Sequence, residues 1–585
     1  MNSSQAEKRI FNGVAVSPGI AVARAVLYKA RSLSIPEYTT DDSGAGREWV
    51  RFTEAKRLTR GQFEELRRRL GGDGAAGIVD SHLMVLDDEL IEDDMREAIL
   101  RRHVNAEAAV RDVGRKWVER LSELGDPMLR ERADDLADIA RRMVRNLTGE
   151  IADLASILTD DCIVVAPGLS PSEVFALPIG SVRAVALDKG SQTSHAALIL
   201  RALGIPSVVG LADMSGCISA GTMVAVDGAR GIVIVDPNGE ELRELAGREK
   251  SLEMIVSRME RENRELPVTL DGRRIGLLAN VAKLSDVSMA REKRAEGVGL
   301  LRSEFLWLES GRAMGEDEQV RASDAAMRTM GGDVIVRLFD VGGDKVMPDP
   351  GSDAHESNPF LGERSIRYLL ENEDVMRSQM RAVLRAAAPG CASILVPMVS
   401  DVSEFARARI VLDECVAELR AKGLEFRPPR FGAMVEVPSA AIEADALVAI
   451  ADFISVGSND LTQYTLAADR CNPAVAHLYR SEHPAVLKLI KMSVDAAVKA
   501  GKSVCICGEM AASPRQIPLL VGMGFTSLSV TPTAMPLVRY VIRKLSMSDC
   551  ETLVERALHA ASPDEVAAMC EKTLRSAAPD VVKFM

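Results

Sequence analysis

Ser503-Val504-Cys505-Ile506-Cys507-Gly508-Glu509 is a short apolar run that breaks off into polar residues. The same figure recurs through the C-terminal half of the chain, alternating with helical patterns. The other runs are Ile275-Gly-Leu-Leu-Ala-Asn280, Gly297-Val-Gly-Leu-Leu301, Val334-Ile-Val-Arg337, Ser393-Ile-Leu-Val-Pro397, Gly432-Ala-Met-Val-Glu436, Phe453-Ile-Ser-Val456 and Ser527-Leu-Ser-Val530. Continuous apolar runs of this length read as strands buried on both faces. Eight of them separated by helices predict a (β/α)8 barrel of TIM type, whose chemistry gathers at strand C-termini.

The residues at those ends are polar. Arg302, Arg337, Glu436, the triplet Ser458-Asn459-Asp460, and Cys507 end or follow the runs; loop segments add Arg364 and Arg470. Converging guanidinium forks suit a substrate with both phosphate and carboxylate, since each fork binds either group bidentately. Glu436 and Asp460 offer hard oxygens to Mg²⁺, which takes one or two carboxylates plus substrate oxygens. Asn459 can donate to a carboxylate. Cys507 among cations can act as acid or base. Each residue also has a structural alternative: a salt-bridged arginine, an Asn-Asp turn or cap, a small core cysteine. Cys505 is read as core.

The N-terminal half has a different rhythm. Gly13 to Ala25 alternates around a Ser-Pro-Gly turn, as short strands do. From Asp42 to Ile151 charge rises and apolar residues recur at helical spacing, predicting three or four bundled helices. Strand-like runs return at Cys162–Ala166, Val182–Leu187, Ser207–Gly210, Met223–Asp227 and Gly231–Asp236. The helical block is thus expected as an insertion in an α/β domain. Inside that domain stands Lys189-Gly190-Ser191-Gln192-Thr193-Ser194-His195-Ala196-Ala197-Leu198-Ile199. His195, Leu198, Ile199 and Ala202 are expected on one helix face. Thr193 or Ser194 is placed to cap the helix, and Gly204 with Pro206 to end it. In a first helical turn the dipole favours a nearby anion and a neutral ring. That suits a histidine accepting a phosphoryl group; a helix-capping histidine is the structural alternative.

Composition limits the classes. The 585 residues exceed one core, and 47% are hydrophobic. A net charge of -13 argues against nucleic acid as the main partner. Met1 to Arg9 lacks an apolar signal region, and no run reaches membrane-spanning length. Nine scattered cysteines fit reduced thiols in the cytoplasm, and Cys505-Ile506-Cys507 is too isolated for a zinc site.

Across nearly its full length the chain resembles enzyme I of the phosphoenolpyruvate-dependent sugar phosphotransferase system. The matching segments include Ser17-Pro18-Gly19-Ile20, Ser81-His82-Leu83-Met84-Val85-Leu86-Asp87-Asp88-Glu89, Arg132 to Ile139 and Thr193-Ser194-His195. They continue with Gly297 to Phe305, Asp340-Val-Gly-Gly-Asp-Lys345, Asn358-Pro-Phe-Leu-Gly362, Gly457 to Thr465, Cys507-Gly508-Glu509 and Gly522-Met523-Gly524.

The resemblance implies an α/β phosphohistidine domain (1–41 and 152–241) with an inserted helical carrier-binding subdomain (42–151). A linker helix (242–265) and a barrel for phosphoenolpyruvate binding and dimerisation (266–585) follow. It implies that phosphoenolpyruvate binds with Mg²⁺ in the barrel, phosphorylates His195 and leaves as pyruvate. The group then passes to a histidine of an HPr-like phosphocarrier protein, with His82 a candidate carrier-binding residue. By the same resemblance Arg302, Arg337, Arg364 and Arg470 hold phosphate and carboxylate, Asn459 contacts substrate, Glu436 and Asp460 bind Mg²⁺, and Cys507 protonates C3. A homodimer and a swivelling His195 domain are also implied.

Two segments depart from the family pattern. Ser191-Gln192 replaces a common glycine and basic residue, and Glu363 replaces a common aromatic, which predicts a partly paired Arg364. Two other readings compete. A pyruvate-phosphate dikinase or phosphoenolpyruvate synthase shares these domains but needs a nucleotide-binding domain, for which the chain shows no Walker-type loop. A non-catalytic phosphoenolpyruvate-sensing scaffold has no use for an acid at Cys507.

Overall fold

A computed structural model describes residues 9–28, 35–70, 79, 82–123, 127–149, 158, 161–175, 177–178, 180–190, 194–304, 314–342, 358–386, 392–470, 472 and 475–584. The chain forms two compact units that divide between Glu253 and Met254, inside a helix running Gly239–Glu262.

The first unit is built on an eight-stranded mixed sheet. Its strands are β1 (Ile10–Asn12), β2 (Val14–Ser17), β3 (Ile20–Leu27), β4 (Cys162–Ala166), β5 (Val182–Leu187), β6 (Ser207–Val209), β7 (Met223–Asp227) and β8 (Ile232–Val235), in the order β1-β8-β7-β3-β4-β5-β6-β2. The continuous apolar runs β4 and β5 are central and parallel, and β4 is fully buried. Between β2 and β3, Gly19 has φ +135°, and a Cβ there would lie 2.6 Å from Pro206. The turn therefore requires glycine.

Helices Asp42–Leu70, Glu89–Leu100, Ala106–Glu123 and Pro127–Thr148 lie between β3 and β4. Because β3 and β4 are neighbours, with Arg24 opposite Cys162, the chain leaves and re-enters the sheet at adjacent strands. The bundle closes over Phe52, Phe63, Ile99, Val110 and Ile139.

The second unit is a closed barrel of eight parallel strands in the order β9-β10-β11-β12-β13-β14-β15-β16, with β16 pairing back to β9. The strands are β9 (Gly276–Val281), β10 (Gly297–Arg302), β11 (Asp333–Arg337), β12 (Ala392–Val396), β13 (Arg430–Val435), β14 (Phe453–Gly457), β15 (Ser503–Cys507) and β16 (Ser527–Val530). All eight expected runs are strands, with ends shifted by a residue or two. Alternate residues face inward. Leu300, Ile335, Leu395, Met434, Phe453 and Cys507 form one interior cluster, while Val336, Val396, Ile454 and Ile506 join the helices outside. Gly432 gives the Phe453 ring its room, since a Cβ there would approach the ring to 2.4 Å. Each fully buried aliphatic or aromatic side chain stabilises this arrangement by roughly 1.5–3 kcal/mol.

Candidate active site

The ends of five barrel strands assemble a buried charged cluster. Arg337 is the last residue of β11 and is 6% exposed. Its guanidinium pairs with Glu304, just past β10, and with Asp340 at 3.2 Å. Asp340 is a hub. Arg364 donates to both its oxygens, at 2.9 and 3.0 Å, and the Ser365 hydroxyl donates as well. The remaining Arg364 nitrogen lies 3.5 Å from Asp460 Oδ1 and 3.4 Å from the Tyr464 hydroxyl. Arg364 is thus paired with Asp340 and Asp460, carboxylates other than the neighbouring Glu363 from which its pairing was expected.

Glu436 directly follows β13 and is buried. The Met398 backbone N–H donates to its Oε1 at 2.7 Å. A Cβ on Gly457 would lie 2.5 Å from its Oε2, so glycine leaves space for that carboxylate. Burial, then the nearby Asp460 and Asp340 charges, push the Glu436 carboxyl up to about 8, against the pull of Arg337 and Arg364. Asp460 lies in the first turn of helix Ser458–Leu466, and its Oδ1 accepts no hydrogen bond among the described residues. Two carboxylates short of compensating charge are a donor set that Mg²⁺ fits, given further oxygens from a substrate. Among the described residues no three His, Cys, Asp or Glu side chains form a metal cage of their own.

Cys507 ends β15 and points into the barrel. Burial raises its thiol to about 11, with the Ser455 hydrogen bond, Arg337 and Arg302 opposing. The thiol therefore stays protonated at neutral pH, as an acid must. Arg302 ends β10, half-buried, with its charge felt at the sulfur. Asn459 Oδ1 accepts from the Glu509 N–H at 3.1 Å, and the Asn459 carbonyl accepts from the Tyr479 hydroxyl at 3.2 Å. Tyr479 also bonds Arg470. Gly508 has φ +125°, and a Cβ would collide with Ser458 and Asn459. Glycine thus lets Cys507 and Asn459 approach.

In the first unit, helix His195–Ala202 begins at the singled-out histidine, with Ser194 extended at the N-cap position. The His195 side chain and residues 191–193 lie outside the described residues, and with them the Thr193 cap and the Ser191-Gln192 departure. Among the described residues the Ser194 side chain makes no cap hydrogen bond to this helix. Gly204, at φ +66°, follows the helix end as expected. Ala196, Ala197, Ile199 and Leu200 are buried and Leu198 is partly buried; of the expected face Ile199 is buried, and the side chains of His195 and Ala202 lie outside the described residues.

His82 is 1% exposed, against the expectation of a carrier-contacting group. Its Nε2 faces Asp138 at 3.5 Å and Asp135 at 3.6 Å, and its ring packs 5.2 Å from Phe63. The ring belongs to the bundle core. Glu304, Asp340, Tyr464 and Tyr479 carry the barrel cluster without having been singled out as site residues. Glu304 and Asp340 had a signal: each follows a strand end, inside the quoted motifs.

Comparison with known proteins defines the class first. Family models described as "PEP-utilising enzyme, N-terminal", "mobile domain" and "PEP-binding domain" match residues 12–132, 158–231 and 257–547. Proteins named phosphoenolpyruvate-protein phosphotransferase are 36% identical in Haemophilus influenzae, over 95% of this chain and 98% of that protein. Those of Bacillus subtilis and Geobacillus stearothermophilus are also 36% identical, over 95% and 97% of this chain and 98% of each relative. The chain belongs to the phosphoenolpyruvate-protein phosphotransferase family and is a phosphotransferase.

Proposed function

We propose that the chain takes the phosphoryl group of phosphoenolpyruvate onto His195, releases pyruvate, and passes the group to a histidine of an HPr-like phosphocarrier protein. The observation that carries this reading is the barrel cluster of Arg337, Arg364, Glu436, Asp460 and Cys507. Phosphoryl transfer asks mainly for positioning and charge neutralisation, and the cluster offers both beside a protonated thiol.

Arg302, Arg337, Arg364 and Arg470 hold the phosphate and carboxylate of the substrate. Arg364 does so by exchanging partners, since Asp340 and Asp460 now engage its fork. Asn459 contacts the substrate. Glu436 and Asp460 would hold Mg²⁺, which neutralises charge on the transferring phosphoryl group. Glu304, Asp340 and Asp460 already offset part of the arginine charge, so an anionic substrate calls for that further positive charge. Cys507 delivers its proton to C3 of the enolpyruvate. The domain limits are those implied by the resemblance, and the chain works as a homodimer through the barrel, in the cytoplasm. His82 serves by holding the bundle together under the carrier surface.

One assay tests the reading. The protein is incubated with phosphoenolpyruvate and Mg²⁺, without nucleotide. Pyruvate release with about one acid-labile phosphoryl group per chain is expected. No pyruvate points to a scaffold; a nucleotide requirement points to a dikinase.

A further inference from the structure

We propose that Ser455 is a positioning residue for the proposed proton donor, fixing the Cys507 sulfur through its buried hydroxyl. This rests on the reading of Cys507 as the acid for C3.

Ser455 lies in β14, whose inward positions are Phe453, Ser455 and Gly457. An apolar cluster of Leu300, Ile335, Leu395, Met434 and Phe453 forms inside the barrel with Cys507, and Ser455 pairs across the strands with Cys505. Barrel interiors normally fill such positions with branched aliphatics. Ser455 is 0% exposed, and its hydroxyl has one hydrogen-bond partner among the described residues, Cys507 Sγ at 3.5 Å. The parallel register of β14 and β15 sets Ser455 opposite Cys505 and Gly457 opposite Cys507. The hydroxyl thus reaches the sulfur along the diagonal, and at Gly457, the next inward position, the missing side chain makes room for the Glu436 carboxylate. The sulfur is held from a second side, because the thiol donates to the Val456 carbonyl at 3.6 Å. Packing alone would be met by alanine. A buried hydroxyl aimed at one atom fixes where that atom sits.

The chemistry gives the contact a purpose. As the P–O bond breaks, its electron pair stays on the enolpyruvate oxygen. When the carbonyl forms, C3 takes the proton of Cys507, and the S–H electron pair remains on sulfur. The resulting thiolate later regains a proton from water. A hydroxyl bond to a neutral thiol is weak, but it strengthens as negative charge develops on sulfur. Ser455 therefore acts in the proton-transfer step more than in substrate binding.

The test uses the full chain with phosphoenolpyruvate and Mg²⁺ and follows the single turnover of pyruvate formation, whose maximal rate constant and half-saturating phosphoenolpyruvate concentration stand for kcat and KM. Ser455→Ala is expected to lower kcat roughly tenfold to a hundredfold with KM within about twofold, the worth of a hydrogen bond to a charged group. Ser455→Cys, similar in size and a weaker donor, is expected to fall between. In a Cys507→Ala background Ser455→Ala is expected to cost nothing further. Thermal stabilisation by phosphoenolpyruvate reports that each variant folds. An unchanged kcat in Ser455→Ala, or an equal loss in both backgrounds, overturns the proposal while leaving Cys507 in place. Full-rate pyruvate formation by Cys507→Ala overturns the acid reading itself, and the role of Ser455 with it.

Discussion

The His195 segment and the barrel mouth solve different problems. The first is one short helix, and its features lie within about a dozen consecutive residues. The second gathers Arg302, Arg337, Asp340, Arg364, Glu436, Asp460 and Cys507, which are spread over the C-terminal half of the chain. A nucleophile needs one side chain at a helix start. A site for a highly charged donor needs opposing charges in a dry place, which only several strand ends can supply. Burial follows the same division. Arg337, Asp340, Arg364 and Glu436 are each at most 6% exposed, so their charges are held by partners and not by water.

Four substitutions probe that division. His195→Ala has the largest expected effect: phosphate incorporation and pyruvate release are lost completely, while phosphoenolpyruvate still stabilises the chain in thermal unfolding. Loss of that stabilisation would break the separation between nucleophile and donor site. Cys507→Ala is next, slowing pyruvate formation by about 10²–10⁴-fold with KM little changed. Its pH dependence sharpens the point. Burial raises this thiol to about 11, so the acid form persists as pH rises and the thiol alone causes no fall in rate between pH 7 and about 9.5. An alkaline limb near pH 8.5 would instead mark an ordinary, exposed thiol.

Arg337→Met removes one partner of a buried ion pair, takes its charge away from Glu304 and leaves Asp340 to Arg364. Unfolding stability of the second unit should fall by about 3–5 kcal/mol, read by denaturant melts, with phosphoenolpyruvate-induced stabilisation lost as well. His82→Ala is the smallest. It should cost about 1–3 kcal/mol in the bundle and slow transfer to a carrier, with autophosphorylation intact below the melting transition. A stable variant with normal carrier transfer would remove His82 from both roles.

Much of this was legible in the chain. The eight barrel runs are continuous, apolar and short, and burial on both faces leaves that mark directly in sequence. Polar residues at their ends marked the mouth. His82 was not legible in the same way. Helical spacing placed it on a helix, but the carboxylates it faces, Asp135 and Asp138, come from helix Pro127–Thr148. In the His195 helix the packing beneath buries Ala196, Ala197, Ile199 and Leu200, where periodicity offered more than one face.

Sequence alone determined the elements, the barrel, the histidine proposed as nucleophile and the residue types at the mouth, because these depend on local periodicity and on chemistry at fixed spacing. Tertiary structure decided the pairings. Asp340 became the hub of two arginines, Ser455 the partner of Cys507, and His82 a core residue. Strand ends remote in the chain become neighbours only when the barrel closes. Burial then turns ordinary side chains into a network whose charges depend on one another.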